Sequence, residues 1–151
     1  MIKIICVGKI KENFFRQAIL EYQKRLSKYT KFEIIEVSDE YENSIDLVLE
    51  KEKEHILKHI MPKDYVITLE IDGTLLSSSE LAYKIEQTLI INSNIVFIIG
   101  GSYGLHDCVK ERSNYKLSFS KLTFPHQLFR VVLLEQIYRV FKIINNESYH
   151  K

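Results

Sequence analysis

The sequence lacks any long apolar run. None of its apolar stretches approaches the roughly 18 residues that a membrane-spanning helix needs, which argues against a helical membrane protein. The segment MIKIICVGK also lacks the long apolar stretch of a signal peptide and is instead typical of a first β-strand. We therefore expect a cytoplasmic protein that has no membrane partner.

Cysteine is scarce as well. The two cysteines, Cys6 and Cys108, are too few for a disulfide framework. Without a secretory signal, both are predicted to be free thiols that act as small buried hydrophobic side chains.

Several common ligand-binding patterns are missing. The stretch GGSYG at 100–104 matches neither G-x-G-x-x-G nor a P-loop, so its spacing predicts neither a dinucleotide nor a triphosphate site. His55 and His59 are four residues apart, but no Glu follows His55 and no third ligand is evident, so no metal site is predicted. No Ser-His-Asp or Cys-His set can be recognised.

What is present is typical of a globular protein. The chain has 151 residues, of which 46% are hydrophobic and 27% are charged. No linker, repeat or low-complexity segment interrupts it, so residues 1–151 are predicted to form a single domain.

The charges are segregated although the net charge is only +1. Residues 1–31 contain eight Lys or Arg against two Glu, and residues 91–151 contain eight against four acidic residues. Residues 32–90 contain five basic against fourteen acidic residues. If the two basic ends meet in the fold, they form a face that suits an anionic partner, and a merely solvated surface is the alternative.

Apolar strand-like runs alternate with helical patterns along the chain. This alternation predicts parallel βαβ units, and therefore an α/β fold with a parallel sheet and helices on both faces. The turn dipeptide Asp72-Gly73 is expected to end the third strand, and Ser77 and Glu80 form a capping box. Strands are predicted at Ile2–Val7, Phe32–Val37, 65–71, Ile95–Ile99 and 115–119; helices are predicted at 12–29, from Asn43 or Ser44 to 59, at 77–90, at Asp107–Arg112 and from Pro125 onward.

Two strand ends are candidate binding sites, since ligands of open parallel sheets bind beyond the carboxyl ends of the strands. At Gly100 and Gly101 a ligand can approach backbone amides without a side chain in the way, although a simple tight turn is the commoner explanation of such glycines. Pro125 fits the first turn of the last helix, which places His126 at the positive end of the helix dipole. A neutral imidazole there can accept a proton or bind a substrate, or it can be a structural histidine.

The last predicted helix is apolar on nearly every side. A helix of this kind must be buried all round, and so short a chain rarely achieves that alone. We therefore expect the helix to form a homodimer interface.

The ordered motifs of the chain resemble those of a known family. They are VGK near the start, YVITLEIDG at 65–73, FIIGGSYGLH at 97–106, RSNYKLSFSKLTFPHQLFRVVLLEQIYRVFKI at 112–143 and the final YHK. This succession is similar to the bacterial ribosomal RNA large subunit methyltransferase H family, the pseudouridine N3-methyltransferases of the SPOUT class. The resemblance covers essentially the whole chain.

The resemblance implies a homodimer with a C-terminal trefoil knot that binds S-adenosylmethionine and no metal. It implies methylation of N3 of a pseudouridine in the helix 69 loop of 23S rRNA, on the assembled ribosome. The implied catalytic candidates are His126, Arg130, Tyr149 and His150, with the tail reaching the partner subunit's cofactor. The implied cofactor-binding residues are Leu69, Gly100, Phe119, Ser120, Lys121, Leu122, Thr123 and Phe124.

Two alternatives stay open: a SPOUT methyltransferase that acts on another RNA such as a tRNA, and a non-catalytic ribosome-associated protein with the same fold. The chain also differs from many relatives at Lys151, where they have an arginine. A lysine offers a phosphate a point charge instead of a bidentate contact.

Overall fold

The computed structural model describes residues 1–151 and contains five strands and five helices. Each predicted strand is present, and a helix with its flanking loops connects each strand to the next. In chain order the elements are β1 (Ile2–Val7), α1 (Asn13–Leu26), β2 (Phe32–Val37), α2 (Ile45–Leu57), β3 (Tyr65–Leu75), α3 (Ser78–Ile91), β4 (Ile95–Ile99), α4 (Asp107–Arg112), β5 (Tyr115–Ser118) and α5 (His126–Ile144).

The five strands form one parallel sheet in the order β2-β1-β4-β3-β5. All residues of β1 and β4 are buried, as expected for central strands that are covered on both faces. The predicted α/β architecture is thereby confirmed.

Helices cover both faces of this sheet. On one face, α1, α3 and α5 enclose a cluster of 18 buried hydrophobic residues, and on the other face a smaller cluster of nine lies beneath α2 and α4. α5 lies between α1 and α3 and buries one side, including Leu133, Leu134 and Ile137. A single chain therefore buries the inner side of α5, while Leu128 remains 37% exposed.

Local signals set most of the helix ends. The Ser44 hydroxyl accepts a hydrogen bond from the Leu47 amide at the start of α2, and Ser77 and Glu80 form the predicted capping box of α3. α1 is shorter than predicted, because its last turn is capped at Ser27. Pro125 is the N-cap of α5 and not its first helical residue, so the helix begins at His126.

The predicted end of the third strand is wrong. β3 continues through Asp72 and Gly73 to Leu75, and its pairing with β5 shifts register between Leu69 and Thr74. A Cβ atom on Gly73 would lie 2.8 Å from backbone atoms of Lys116 and Leu117. The glycine permits the close approach of β5 at a bulge, and it does not make a turn.

The two cysteines differ in exposure. Cys6 is buried in β1, as predicted, and burial raises the pKa of its thiol to about 12. Cys108 is exposed, so its prediction as a buried side chain is wrong, because it lies on the outer face of the short helix α4.

Two further features bear on function. None of the ten elements is a helix of the length and apolarity that a membrane span requires. His, Cys, Asp and Glu side chains do not form any group of three or more that is arranged to hold a metal ion.

Candidate functional site

The carboxyl ends of β3, β4 and β5 border a cavity of about 310 Å³, here called the strand-end cavity. Seven of the eight predicted cofactor-binding residues line it, together with His126. The cavity thus brings together segments that are about 20 to 55 residues apart in the sequence. The seven are Leu69, Gly100, Phe119, Ser120, Leu122, Thr123 and Phe124.

The glycine loop after β4 forms one wall. Gly104 adopts a φ of +81° and its amide donates a hydrogen bond to the Gly101 carbonyl, so the loop is a tight turn, as the simpler interpretation held. A Cβ on Gly100 would lie 2.5 Å from the Gly104 carbonyl oxygen. The turn therefore closes only with glycine at position 100, and it presents backbone to the cavity.

The segment between β5 and α5 forms the opposite wall. Ser118 donates a hydrogen bond to the Ser120 carbonyl, and the Leu122 amide donates to the Ser120 hydroxyl, so the segment is folded upon itself. Phe129 packs edge-on against Phe119 at 5.1 Å and lies 5.9 Å from Phe124. This wall is a set of aromatic faces, which suits a flat heterocycle.

One residue of the cavity lining, Glu70, was not predicted from the sequence. Glu70 lines the cavity, accepts a hydrogen bond of 2.6 Å from Thr68 and lies 3.9 Å from the Lys110 amine. The only available signal was that Glu70 follows Leu69 at a strand end. Its oxygens can accept hydroxyl donors or lie near a cationic group.

His126 is the first residue of α5 and lines the strand-end cavity. Its neighbour Gln127 accepts a hydrogen bond of 3.0 Å from the Lys11 amide. Lys11, in the segment before α1, therefore lies beside the start of α5.

The structure keeps the other predicted residues out of this cavity. Lys121 is exposed on the surrounding loop. Arg130 is 1% exposed and donates to the Glu36 carboxylate at 2.7 Å and to the carbonyls of Val7 and Gly8 at 3.1 and 2.5 Å. These contacts tie α5 to the ends of β1 and β2, which is a positioning function.

The tail folds back along the second half of α5. Tyr149 packs edge-on against Tyr138 at 5.1 Å, and His150 lies 3.3 Å from the Arg139 guanidinium. Arg139 is 13 residues beyond His126 in the helix, which is about 20 Å at 1.5 Å per residue. The tail of a chain thus does not reach that chain's own cavity.

Comparison with known proteins bears on this arrangement. The family model described as "Predicted SPOUT methyltransferase" matches residues 1–150. The chain belongs to the SPOUT methyltransferase family. This confirms the methyltransferase class expected from the motifs, and a methyltransferase requires a methyl donor.

Two relatives are similar to this protein over their full length. One is named ribosomal RNA large subunit methyltransferase H, from Caldicellulosiruptor saccharolyticus, and is 53% identical over 154 residues, covering 100% of both chains. The other is named putative ribosomal RNA large subunit methyltransferase H, from Methanococcus vannielii, and is 59% identical, covering 99% of each.

A solved structure shares the fold. It is that of a probable methylase family protein from Haemophilus influenzae Rd KW20, with a TM-score of 0.58 and 14% identity. The alignment covers 99% of the present SPOUT chain and 70% of the other. At this identity the likeness concerns the fold alone.

Proposed function

We propose that the protein methylates N3 of a pseudouridine in the helix 69 loop of 23S rRNA, with S-adenosylmethionine as donor. The observation that carries the proposal is the convergence of the glycine loop, the 119–124 segment and His126 on the strand-end cavity. The names of the two full-length relatives supply the rRNA substrate.

The cavity fits the donor by shape and chemistry. Phe119, Phe124 and Phe129 offer aromatic faces to an adenine, and the glycine loop offers backbone groups to its edge. Glu70 is placed to accept ribose hydroxyls. When bound, S-adenosylmethionine supplies an electrophilic methyl group.

The protein's residues must then remove one proton. The N3 imide is a weak acid, so a base must accept its proton, or a cation must stabilise the resulting anion. His126 is the first residue of α5 and lines the cavity, so its imidazole is the first candidate for that base. His150 is the second candidate, and Arg130 supports the site by anchoring α5.

A homodimer completes the proposed site. Tyr149 lies beside Glu135 and His150 lies beside Arg139, about 14 and 20 Å along α5 from His126, so they act at the cavity of the partner subunit. Part of α5 remains available for that interface, since Leu128 is 37% exposed.

The substrate is the ribosome and not free RNA. A net charge of +1 and one basic segment neutralise few phosphates, so the protein depends on a preformed RNA surface. Lys9, Lys11, Arg16 and Lys24 are exposed for such contacts, whereas Arg25 is ion-paired with Glu21 at 2.8 Å.

A methyl-transfer assay tests the proposal. With labelled S-adenosylmethionine, we expect ribosomes to be methylated far better than naked rRNA, and tRNA not to be methylated. Preferential labelling of tRNA would support the alternative SPOUT activity, and no labelling of any RNA would support a non-catalytic protein.

Donor binding is tested by calorimetry with Gly100→Val. Its Cβ would collide with the Gly104 carbonyl, so binding should weaken at least about tenfold. Ile90→Val, on the exposed surface of α3, is the control. Undiminished binding by Gly100→Val would place the donor elsewhere.

A further inference from the structure

A second cavity, of about 340 Å³, adjoins the strand-end cavity across the glycine loop. The two cavities share Gly101, Ser102 and His126. The segment between β2 and α2 contributes Asp39, Glu40 and Glu42 to the second cavity, and α2 contributes Glu52. We call it the acidic cavity.

Glu52 is the unusual residue of this cavity. It is 4% exposed, and its Oε1 accepts a hydrogen bond of 3.2 Å from the Glu40 amide. Its Oε2 has no hydrogen-bond partner, and a Cβ on Gly101 would lie 3.2 Å from it. Burial raises the pKa of this carboxyl group. A buried acceptor without a donor is costly, so this oxygen indicates a donor that arrives with a ligand.

The other carboxylates are largely engaged. Glu40 bonds His55 at 2.8 Å, and Glu42 is paired with Lys51. One oxygen of Asp39 accepts the Tyr41 hydroxyl at 2.8 Å, which leaves its other oxygen available. The acidic cavity therefore offers free acceptors on Asp39 and Glu52 and no cation for a phosphate.

These features define the ligand chemically. Carboxylates repel the phosphates of an RNA backbone, but they accept hydrogen bonds from a neutral group that carries N–H donors. Because His126 borders both cavities, a group in the acidic cavity lies next to whatever occupies the strand-end cavity. That is where an acceptor base must lie for transfer.

We propose that the acidic cavity receives the target base and that Asp39 and Glu52 select pseudouridine over uridine. This inference rests on the proposed function. Pseudouridine has two ring N–H groups, N1–H and N3–H, whereas uridine has only N3–H. The N3 proton leaves during methylation, so N1–H is the donor that a carboxylate can hold throughout the reaction. A uridine leaves that carboxylate unpaired, which gives strong discrimination.

The test compares two ribosome preparations, one carrying the pseudouridine and one from cells that lack the synthase that makes it. For the wild-type protein we expect kcat/KM to be at least about tenfold higher with pseudouridine. Asp39→Asn and Glu52→Gln should each reduce that ratio several-fold, by slowing the pseudouridine reaction and sparing the uridine one.

Glu54→Gln is the matched control, because Glu54 is exposed on the same helix and does not line the cavity. Calorimetry with S-adenosylmethionine shows whether each variant keeps its fold. If Glu52→Gln does not fold, the test rests on Asp39→Asn, because Asp39 is exposed and its replacement does not disturb the core. If Asp39→Asn leaves the ratio of the two kcat/KM values unchanged, or lowers kcat/KM equally on both ribosomes, the acidic cavity does not select pseudouridine. That result would leave the proposed function standing. A wild-type protein that methylates neither ribosome overturns the proposed function.

Discussion

The buried carboxyl group of Glu52 makes the stability of the protein depend on pH. Burial raises its pKa in the folded state, so the folded chain holds the proton more tightly than the unfolded chain does. The contribution of the Glu52 carboxyl group to the free energy of unfolding is therefore full below its pKa in the unfolded chain. It is lost as the pH rises through its pKa in the folded chain.

Replacing Glu52 by Gln removes this titration. We expect Glu52→Gln to gain stability relative to the wild type as the pH rises from 4 to 8, on the order of 1 kcal/mol, because no buried charge forms. Urea unfolding at several pH values measures it, with Glu54→Gln as control. Parallel stability curves for wild type and Glu52→Gln would contradict the argument.

At the scale of single elements, β3 depends on one glycine. In Gly73→Ala the added Cβ would meet the backbone of Lys116 and Leu117 at 2.8 Å, so the β3–β5 pairing must shift. We expect a loss of about 1–3 kcal/mol in the free energy of unfolding, which is typical of overpacking. Asp72→Ala, at the exposed neighbouring residue, should cost far less. Urea denaturation of both variants checks this.

The C-terminal tail, residues 148–151, is predicted to act in catalysis and not in donor binding. Deleting residues 148–151 removes polar groups and the Tyr149–Tyr138 contact but no residue of the core. We expect methyl transfer to be lost and S-adenosylmethionine affinity to change less than about threefold, because the tail lies far from its own cavity. Calorimetry and the ribosome assay measure the two effects. Full activity of the shortened chain would remove the tail from catalysis.

Strands and helices were predictable because their signals are local. The buried runs of β1 and β4 and the capping box of α3 depend on neighbouring residues only. The role of Gly73 was not predictable, since Asp-Gly is typical of turns and only the arrival of β5 makes the glycine necessary. Glu70 and Glu52 were missed for the same reason: each gains its role from segments distant in sequence.

Topology was harder still. The order β2-β1-β4-β3-β5 follows from which apolar faces meet, and the periodicity of a strand does not reveal its neighbours. The cofactor residues were named through the family resemblance, because spacing alone matched no nucleotide-binding pattern. The trefoil knot came from the same resemblance and stays a prediction, since the general rules of chain topology disfavour threaded loops.

For the whole molecule, the separation of tail and cavity has a testable consequence. In a dimer that shares its sites, a tail-deleted chain and a Gly100→Val chain should each be inactive alone. When the two chains are co-expressed, each mixed dimer should recover up to about half of the activity of a wild-type dimer. It contains one complete site, made of the cavity of the tail-deleted chain and the tail of the Gly100→Val chain. The ribosome assay on co-purified, differently tagged chains measures this. Failure to recover activity in verified mixed dimers would show that each chain serves its own site.

The position of α5 between α1 and α3 also bears on how the protein is made. α5 supplies Leu133, Leu134, Ile137, Val140 and Phe141 to the larger core, which the earlier helices leave open. During synthesis, that apolar face stays uncovered until the chain has been extended through Ile144. The larger core is therefore closed by a late segment, and the nascent chain presents a hydrophobic surface that suits a chaperone. A protein proposed to act on ribosomes thus completes its own fold only once translation has passed its last helix.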